Sequence, residues 1–286
     1  MPELPEVETV RRGLAELTLD VPILGGEVLY PKTVAYPLAP DEFISGLIGQ
    51  SLQAWERRGK YLIGKLNPRG WLVVHLRMTG QLFWLSQDIP IAKHTRVRLF
   101  FESGQELRFV DQRTFGQMWW LPDQALLPEL MPTLAGLGPE PLGPDFTVSY
   151  LAGKLQQPRK PIKNALLDQA MIAGVGNIYA DEALFLAQIH PQARCCDLTP
   201  VQIQTLHQKI KAVLQLSLAV GGTTFNTFTS LEGINGNYGG QAWVYGRRKE
   251  PCRICQTPIQ QIRLSGRSAH FCPQCQPVSG YEIFKN

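Results

Sequence analysis

The start of the chain brings together an amine and a carboxyl group that are suited to covalent catalysis. Methionine before a small residue such as proline is normally removed, which leaves Pro2 with a free secondary amine. An α-amino group titrates near ~7.7–8.0, so a good fraction is unprotonated at neutral pH, and such amines form Schiff bases with carbonyl carbons. Glu3 follows directly and is placed to move protons at the same reacting centre. The alternative is that Pro2 and Pro5 only stiffen an N-terminal arm while the glutamates cap a helix.

A second group of residues has the spacing of a metal site. Two CxxC pairs near the C-terminus are separated by sixteen residues, which is in the range of zinc ribbons. Four thiolates close the coordination sphere of zinc, so the predicted role is structural. The predicted ligands are Cys252, Cys255, Cys272 and Cys275. Cys195 and Cys196 match no ligand spacing and are interpreted as packing residues.

Several basic residues of the second half are candidates for binding phosphate. Gly174 and Gly176 precede Asn177, which is predicted to cap a helix that begins at Ile178. A helix N-terminus behind glycines is suited to an anion, although such caps are also common without any ligand. Between the CxxC pairs, a metal-held hairpin would present Arg263, Arg267 and His270 rigidly. The predicted phosphate contacts are Arg159, Lys160, Lys163, Asn177 and Arg267.

Charge is unevenly distributed along the 286 residues. Residues 1–150 hold 14 Lys and Arg against 17 Asp and Glu, a net charge of −3, whereas residues 151–286 hold 14 against 7, a net charge of +7. The C-terminal half is therefore the expected footprint of a polyanion. No apolar run reaches the ~18 residues that span a bilayer, and the first residues have neither the basic nor the apolar region expected of a secretory signal peptide. We expect a protein that is soluble and intracellular.

The elements that must position these residues differ between the two halves. Pro5 suits the first turn of a helix whose apolar face is Val7, Val10, Leu14 and Leu17. Residues from about 21 to 121 read mostly as short strands joined by turns, which predicts a sandwich or barrel. A stretch rich in proline and glycine, residues 122–145, is interpreted as a linker. Thr199-Pro200-Val201-Gln202 predicts a capping box at the start of a further helix.

Three polar stretches interrupt the strands, and two of them carry a large apolar residue. They are residues 57–60, 75–80 and 111–116. Met78 and Phe115 in the second and third stretches are either ordinary core residues or wedges. An apolar side chain inserted into a base stack holds open the gap left by an extruded nucleotide.

These motifs together resemble the bacterial formamidopyrimidine-DNA glycosylases over nearly the whole chain. The resemblance rests on Met-Pro-Glu-Leu-Pro-Glu-Val-Glu at the start, the Lys60 strand, the Met78 and Phe115 stretches, Gly-Val-Gly-Asn before the helix at 178, and the four-cysteine ribbon. It implies an α+β protein with an N-terminal β-sandwich carrying a terminal helix, a helix-two-turn-helix domain and a zinc ribbon. We expect the domains at residues 1–145, 146–246 and 247–286, with a loop over the flipped base at 223–246.

The resemblance also implies roles for individual residues. Pro2 would be the nucleophile and Glu3 the proton carrier, while Lys60 would assist the first elimination and Arg267 the second. Family positions that contact DNA or fill the gap match His94, Arg113, Arg159, Lys163, Asn177, Met78 and Phe115. The family usually has Pro and Arg where this chain has Gln112 and Thr114, so one cationic DNA contact is in doubt.

The predicted activity is that of a bifunctional DNA glycosylase and AP lyase acting on oxidised purines in duplex DNA. Its expected cofactor is one structural Zn²⁺, and its expected partner is double-stranded DNA with oxidised bases or abasic sites. We expect a cytoplasmic bacterial monomer. Two alternatives remain open at this point: an endonuclease VIII-like enzyme for oxidised pyrimidines, and a non-catalytic zinc-ribbon DNA-binding protein, which would leave the Pro2-Glu3 start unexplained.

Overall fold

The computed structural model describes residues 1–123, 126–156, 160–222 and 238–278. The chain forms two compact units. The first runs from Met1 to Gly136 and takes in the segment that begins at Val220, and the second comprises Leu137–Ala219 and the chain from Tyr238 onwards. The domain limits expected from the sequence stay a prediction. None of the helices in the described ranges is long and apolar enough to cross a membrane.

The first unit is a β-sandwich, as predicted. One sheet has four strands in the order β1-β7-β8-β6, and the other has five in the order β2-β9-β5-β4-β3. The strands are β1 (Ile23–Val28), β2 (Val34–Tyr36), β3 (Ser51–Arg58), β4 (Tyr61–Asn67), β5 (Trp71–His75), β6 (Gly80–Ser86), β7 (Thr95–Phe101), β8 (Gln105–Asp111) and β9 (Gln117–Leu121).

The sandwich core follows from alternation along the strands. In β7 the side chains of Val97, Leu99 and Phe101 are buried and pack with Leu107 and Phe109 of β8. Successive side chains point to opposite faces of a strand, so this spacing of two places the apolar residues on one face. The turn between β4 and β5 ends at Gly70, whose φ of +99° lies in the region that favours glycine.

Two connections cross from one sheet to the other at the same end of the sandwich. The chain passes from β5 in the five-stranded sheet to β6 in the four-stranded sheet, and it returns from β8 to β9. In the five-stranded sheet β5 pairs with β9, which places His75 opposite Gln117. In the four-stranded sheet β6 pairs with β8, which places Gly80 opposite Asp111. The two connections therefore lie side by side.

Two helices complete the wall of the sandwich. Helix α1 (Leu4–Leu17) buries Val7, Val10 and Leu14 in the core, as predicted from their spacing. Helix α2 (Pro40–Leu47) adds Phe43 and Leu47. Two short helices, α3 (Leu127–Leu130) and α4 (Pro132–Ala135), follow the last strand.

The second unit is helical up to its C-terminal hairpin. Its helices are α5 (Val148–Leu155), α6 (Ile162–Leu166), α7 (Asn177–Leu186) and α8 (Pro200–Ala219). The predicted capping box of α8 is confirmed, since the amide of Thr199 donates to Gln202 Oε1 and the amide of Gln202 to Thr199 Oγ1. The predicted cap of α7 is wrong by one residue, because the extended residue before the helix is Gly176 and Asn177 is its first helical residue.

The hairpin consists of β10 (Gln260–Leu264) and β11 (Arg267–Phe271). It lies between the two CxxC pairs, so the metal ligands flank it on both sides. Of the two remaining cysteines, Cys195 is buried as predicted and burial raises its pKa to about 12. Cys196 is exposed, which corrects its interpretation as a packing residue.

Candidate functional site

The predicted nucleophile lies at the N-terminal end of α1, where a reciprocal pair of hydrogen bonds fixes the backbone. The amide of Glu3 donates to Glu6 Oε2 at 2.8 Å, and the Glu3 side chain accepts from the backbone of Glu6. Pro2, Glu3 and Glu6 are all buried. The backbone of Gly222 packs on the same carboxylate, since a Cβ at that position would lie 3.0 Å from Glu6 Oε1. The chain start is therefore rigidly oriented.

A salt-bridge network joins α1 to the hairpin that carries Lys60. Glu8 on α1 pairs with Arg57 at 3.3 Å and with Arg11 at 2.9 Å, and Arg57 also donates to the carbonyl of Gly59 at 3.0 Å. Burial opposes ionisation of Glu8, but the guanidinium groups around it lower its pKa below the ordinary value. Lys60, the second residue of the two-residue turn between β3 and β4, is 6% exposed.

His75 is a buried neighbour of Lys60 that the sequence did not single out. Its ring packs edge-on to Tyr61 at 4.4 Å, and its Nδ1 accepts from the amide of Arg77 at 3.0 Å. Burial, with the positive charges of Arg77 and Lys60, lowers the pKa of His75 to about 3. The ring is therefore neutral at physiological pH and serves as a hydrogen-bond acceptor for the turn that leads to Met78.

An open pocket of about 530 Å³ joins the chain start to the two crossing connections. Its lining includes Met1, Met78 and Phe115, with Lys32 and Arg77 as cationic members. The structure thus brings the first residue of the chain and both predicted wedge residues to one cleft. Cationic side chains at that cleft favour an anionic ligand.

The predicted wedge residues are exposed, which excludes the alternative that they are core residues. Phe115 is 50% exposed and Met78 is 36% exposed. The guanidinium of Arg113 lies 4.9 Å from the centre of the Phe115 ring, so the two side chains stack before any ligand arrives. His94 is half-buried beside Arg96, whose guanidinium lies 3.3 Å from His94 Nδ1.

One predicted phosphate contact of the second unit, Lys163, is buried, and so is His270 of the hairpin. Lys163 is fully buried and forms an ion pair with Asp181 at 2.6 Å, while also donating to the carbonyl of Ser268. His270 is 6% exposed and donates its amide to Asp181 Oδ2 at 2.9 Å. The prediction of Lys163 as a direct phosphate contact is corrected by this burial. A buried ammonium ion needs a carboxylate partner, and Asp181 supplies it.

The other predicted contacts that lie within the described residues are exposed or half-buried. Arg267 is exposed at the start of β11, directly after the turn at Gly266, and Asn177 donates to Ser268 Oγ at 3.3 Å. Asn177, Lys163 and Asp181 therefore hold the hairpin that presents Arg267. Arg159 and most of the predicted loop at 223–246 lie outside the described residues.

The four predicted metal ligands converge. Their Sγ atoms all lie within 4.8 Å of one another, and three of the separations are 3.4, 3.5 and 3.8 Å. Tetrahedral zinc with Zn–S bonds near 2.3 Å requires about 3.8 Å between sulfur atoms. The amides of Ile254 and Cys275 donate to sulfur atoms of the cluster, as expected around thiolates. The donor set fits a closed zinc site.

Glu182 is a further residue that the sequence analysis missed. It is fully buried on α7 and accepts the amides of Trp243, Val244 and Tyr245 at 2.8–2.9 Å. Burial raises its pKa, although the three backbone donors act in the opposite direction. The signal that could have found it is an acidic residue inside a strongly apolar helix, since such a group needs several hydrogen-bond donors when it is buried.

Three family models match the chain in succession. They are the formamidopyrimidine-DNA glycosylase N-terminal domain over residues 1–118, the formamidopyrimidine-DNA glycosylase H2TH domain over residues 137–229, and the zinc finger found in FPG and IleRS over residues 249–278. The last match and the converging thiolates agree that the chain holds one structural zinc ion.

Similar proteins match over the full length. A formamidopyrimidine-DNA glycosylase of Acaryochloris marina is 57% identical, over 98% of this chain and 100% of that protein. A variant of the Lactococcus lactis FPG, solved with a Fapy-dG containing DNA, has a TM-score of 0.90 at 37% identity, covering 96% of this chain and 100% of that one. MutM in complex with carbocyclic 8-oxo-G containing DNA has a TM-score of 0.89 at 37% identity, with the same coverage.

Proposed function

The chain belongs to the formamidopyrimidine-DNA glycosylase family, and from that premise we propose that it excises oxidised purines from duplex DNA and then cleaves the strand at the abasic sugar. Its substrates are duplexes with 8-oxoguanine, formamidopyrimidines or abasic sites. The family match over residues 1–118 covers the part of the chain that a non-catalytic zinc-ribbon protein would leave unexplained.

One observation carries the assignment of residues. Met1 lines the same pocket as Met78 and Phe115. Removal of Met1 would therefore leave the Pro2 amine close to the side chains that fill the gap in the base stack. A glycosylase must hold the extruded nucleotide and the nucleophile in one place. In this arrangement Met78, Arg113 and Phe115 fill the space that the nucleotide leaves.

The chemistry begins at the chain start. The Pro2 nitrogen attacks the anomeric carbon of the damaged nucleotide, and the glycosidic bond breaks as the base leaves with a proton supplied through Glu3. The sugar then remains attached as a Schiff base. Successive eliminations release the phosphates on its two sides, the first assisted by Lys60 and the second by Arg267.

The second unit binds and orients the DNA backbone. Arg159, Asn177, Arg267 and, in the first unit, His94 are the phosphate contacts of this proposal, while Lys163 acts from inside by holding the hairpin. The zinc ion has no chemical step, because four thiolates leave no open position for a substrate. We place the protein in the cytoplasm, on chromosomal DNA, as a monomer.

The proposal is tested by trapping the covalent intermediate with borohydride on a duplex containing 8-oxoguanine. Reduction of the Schiff base converts it into a stable amine, so the processed protein is expected to give a protein–DNA adduct whose attachment maps to Pro2. The matched control is the same protein with an N-terminal extension that cannot be removed. Its Pro2 nitrogen is a peptide nitrogen without an available lone pair, and no adduct is expected.

Two outcomes contradict the proposal in different ways. If the extended protein is trapped as readily as the processed one, the nucleophile is a lysine, and Lys60 is the first to test. If the processed protein is trapped on thymine glycol but not on 8-oxoguanine, the endonuclease VIII-like alternative with oxidised pyrimidines is correct.

A further inference from the structure

Both predicted wedge residues lie in the connections that cross between the sheets of the sandwich. The connection from β5 to β6, residues 76–79, is called the Met78 turn, and the connection from β8 to β9, residues 112–116, is called the Phe115 turn. Both turns contain a non-glycine residue with positive φ, Arg77 at +54° and Thr114 at +58°. Such residues are held in place by surrounding contacts rather than by their own preference.

One side chain bonds both turns. Asp111, the last residue of β8, is fully buried. Its Oδ1 accepts the hydroxyl of Thr79 in the Met78 turn and the amide of Arg113 at 3.2 Å in the Phe115 turn, and its Oδ2 accepts the amide of Gly116 at 2.7 Å. Thr79 adds a second bridge, because its hydroxyl oxygen also accepts the Arg113 amide at 3.1 Å.

The backbone of Asp111 also bonds to His94, which is a third predicted DNA contact. Its amide donates to the carbonyl of His94 at 2.9 Å, and its own carbonyl accepts from Arg96 Nε at 2.8 Å. Arg96 in turn lies beside the His94 ring. The position of one residue therefore sets the placement of Met78, Phe115 and His94 together.

Packing beneath the turns leaves little room for them to shift. A Cβ on Gly80, which follows the Met78 turn, would lie 2.9 Å from Phe109 Cζ, and a Cβ on Gly116 would lie 2.4 Å from the same atom. Gly80 and Gly116 thus both lie directly against the Phe109 ring. Only a carboxylate satisfies all three donors above that ring, since an amide in its place offers one acceptor atom and turns the other into a donor.

We propose that Asp111 is a positioning residue for duplex recognition, which joins the Met78 turn to the Phe115 turn and so fixes the two parts of the wedge relative to each other. The inference rests on the proposed function, because it assumes that these turns enter the base stack. A rigid wedge lowers the cost of extrusion, since the side chains do not have to be ordered when they enter the gap.

The experiment compares Asp111→Asn with the processed enzyme on two substrates in single-turnover conditions. Excision of 8-oxoguanine from a duplex is expected to slow about tenfold or more, because extrusion costs a few kcal/mol and each 1.4 kcal/mol is tenfold in rate. Cleavage of a preformed abasic site is expected to change less than about threefold, since little remains to be extruded. With 2-aminopurine beside the lesion, the fluorescence rise that reports unstacking should slow in parallel with excision.

Thr79→Val is the second variant, and it removes one hydroxyl bridge at nearly unchanged shape. It should show the same substrate selectivity with a smaller loss, even if Asp111→Asn is poorly folded. The matched control is Asp88→Asn, which removes an exposed carboxylate from the connection between β6 and β7 and should leave both rates unchanged.

A double-mutant cycle separates positioning from general damage. In a Phe115→Ala background, Asp111→Asn should slow excision less than about threefold further. Without the Phe115 side chain, there are no longer two parts of the wedge for Asp111 to hold relative to each other. Equal losses on both substrates, or fully additive effects, overturn the inference. If Phe115→Ala itself shows no preference for either substrate, the wedge of the proposed function fails. If Phe115→Ala is selective while Asp111→Asn and Thr79→Val are not, only the role of Asp111 is overturned.

Discussion

His75 shows how burial sets the chemical state of a single residue beside Lys60. An exposed histidine changes its charge near pH 6.5, but here burial and two neighbouring cations lower the pKa to about 3. The neutral ring has one nitrogen available as an acceptor, and the amide of Arg77 uses it. Protonation of that nitrogen would remove the acceptor and release the start of the Met78 turn.

This shift predicts a pH-dependent stability of the first unit. Between pH 6.5 and 3 the unfolded chain binds a proton at His75 that the folded protein does not, so the stabilisation is complete above about pH 6.5 and is lost as pH falls towards 3. As the pH is lowered from 6.5 to 3, the free energy of unfolding of the wild type should therefore decrease more steeply than that of His75→Asn, by up to about 1.4 kcal/mol per pH unit. Urea unfolding followed by tryptophan fluorescence measures it.

The control for that measurement is His190→Asn in the second unit. The pKa of His190 is lowered to about 4 by burial, and its Nδ1 also accepts an amide two residues on, from Gln192. Five of the six tryptophans, all except Trp243, belong to the first unit. The fluorescence transition of His190→Asn should therefore keep the wild-type pH slope. Parallel slopes for the wild type and His75→Asn would show that His75 does not titrate as described.

At the scale of elements, each of the two crossing turns has an exposed apolar side chain at its tip and buried, hydrogen-bonded polar groups beneath it. Phe115 and Met78 project outward, while Asp111, Thr79 and the glycines below them are held by hydrogen bonds and by the Phe109 ring. The tips are therefore available to a ligand without loss of core packing. Gln112 and Thr114 stand where the family usually has other residues. The hydrogen bonds that link Asp111 to Thr79, Arg113 and Gly116 use neither of their side chains, so these bonds do not depend on the replacement.

Phe115→Ala should consequently separate base extrusion from bond cleavage. Excision of 8-oxoguanine from a duplex is expected to slow about tenfold or more, whereas cleavage of a preformed abasic site should be nearly unchanged. The unfolding midpoint should move little, since the ring is half exposed. Single-turnover rates on the two substrates and a thermal melt test this. A large drop in the unfolding midpoint, together with equal losses of excision and of abasic-site cleavage, would show that Phe115 acts through packing rather than through base extrusion.

At the scale of the whole molecule, charge and metal are both concentrated in the second part of the chain. Residues 151–286 carry a net charge of +7, and the zinc cluster holds the hairpin that presents Arg267. The inner side of that cluster packs on Phe185 of α7 and on Val244 and Ile259. Small modules of this kind usually depend on the metal for folding, so metal loss should act on DNA binding rather than on the sandwich.

Removal of zinc should abolish DNA binding while the first unit stays folded. Cys252→Ser, or strong chelation of the wild type, is expected to lose lesion binding in a titration with fluorescent duplex, and tryptophan fluorescence should still report a folded sandwich. Cys196→Ser is the matched control, since it changes an exposed cysteine outside the cluster and should bind normally. Full lesion binding by protein shown to be free of zinc would contradict the prediction.

The sequence by itself determined the features that depend on local chemistry and short-range periodicity. The four-cysteine site, the apolar face of α1 and the capping box of α8 all follow from residues that are close in sequence, and all three are confirmed. The resemblance at separated motifs supplied the family, because each motif carries residues whose types are needed for one step of the chemistry. The expected β-sandwich, helix-two-turn-helix domain and zinc finger are likewise confirmed.

Only the tertiary structure decided which polar residues face a ligand and which hold the frame. Lys163 was predicted to contact phosphate, but it is buried in an ion pair with Asp181. Asp181 also accepts the amide of His270, which is far from it in sequence. Asp111 lies within a recognised motif, yet its role depends on Thr79, 32 residues away, because two strand pairs bring their turns together. Burial and hydrogen bonding are set by such distant neighbours, and a buried charge is stable only where the fold provides its partner.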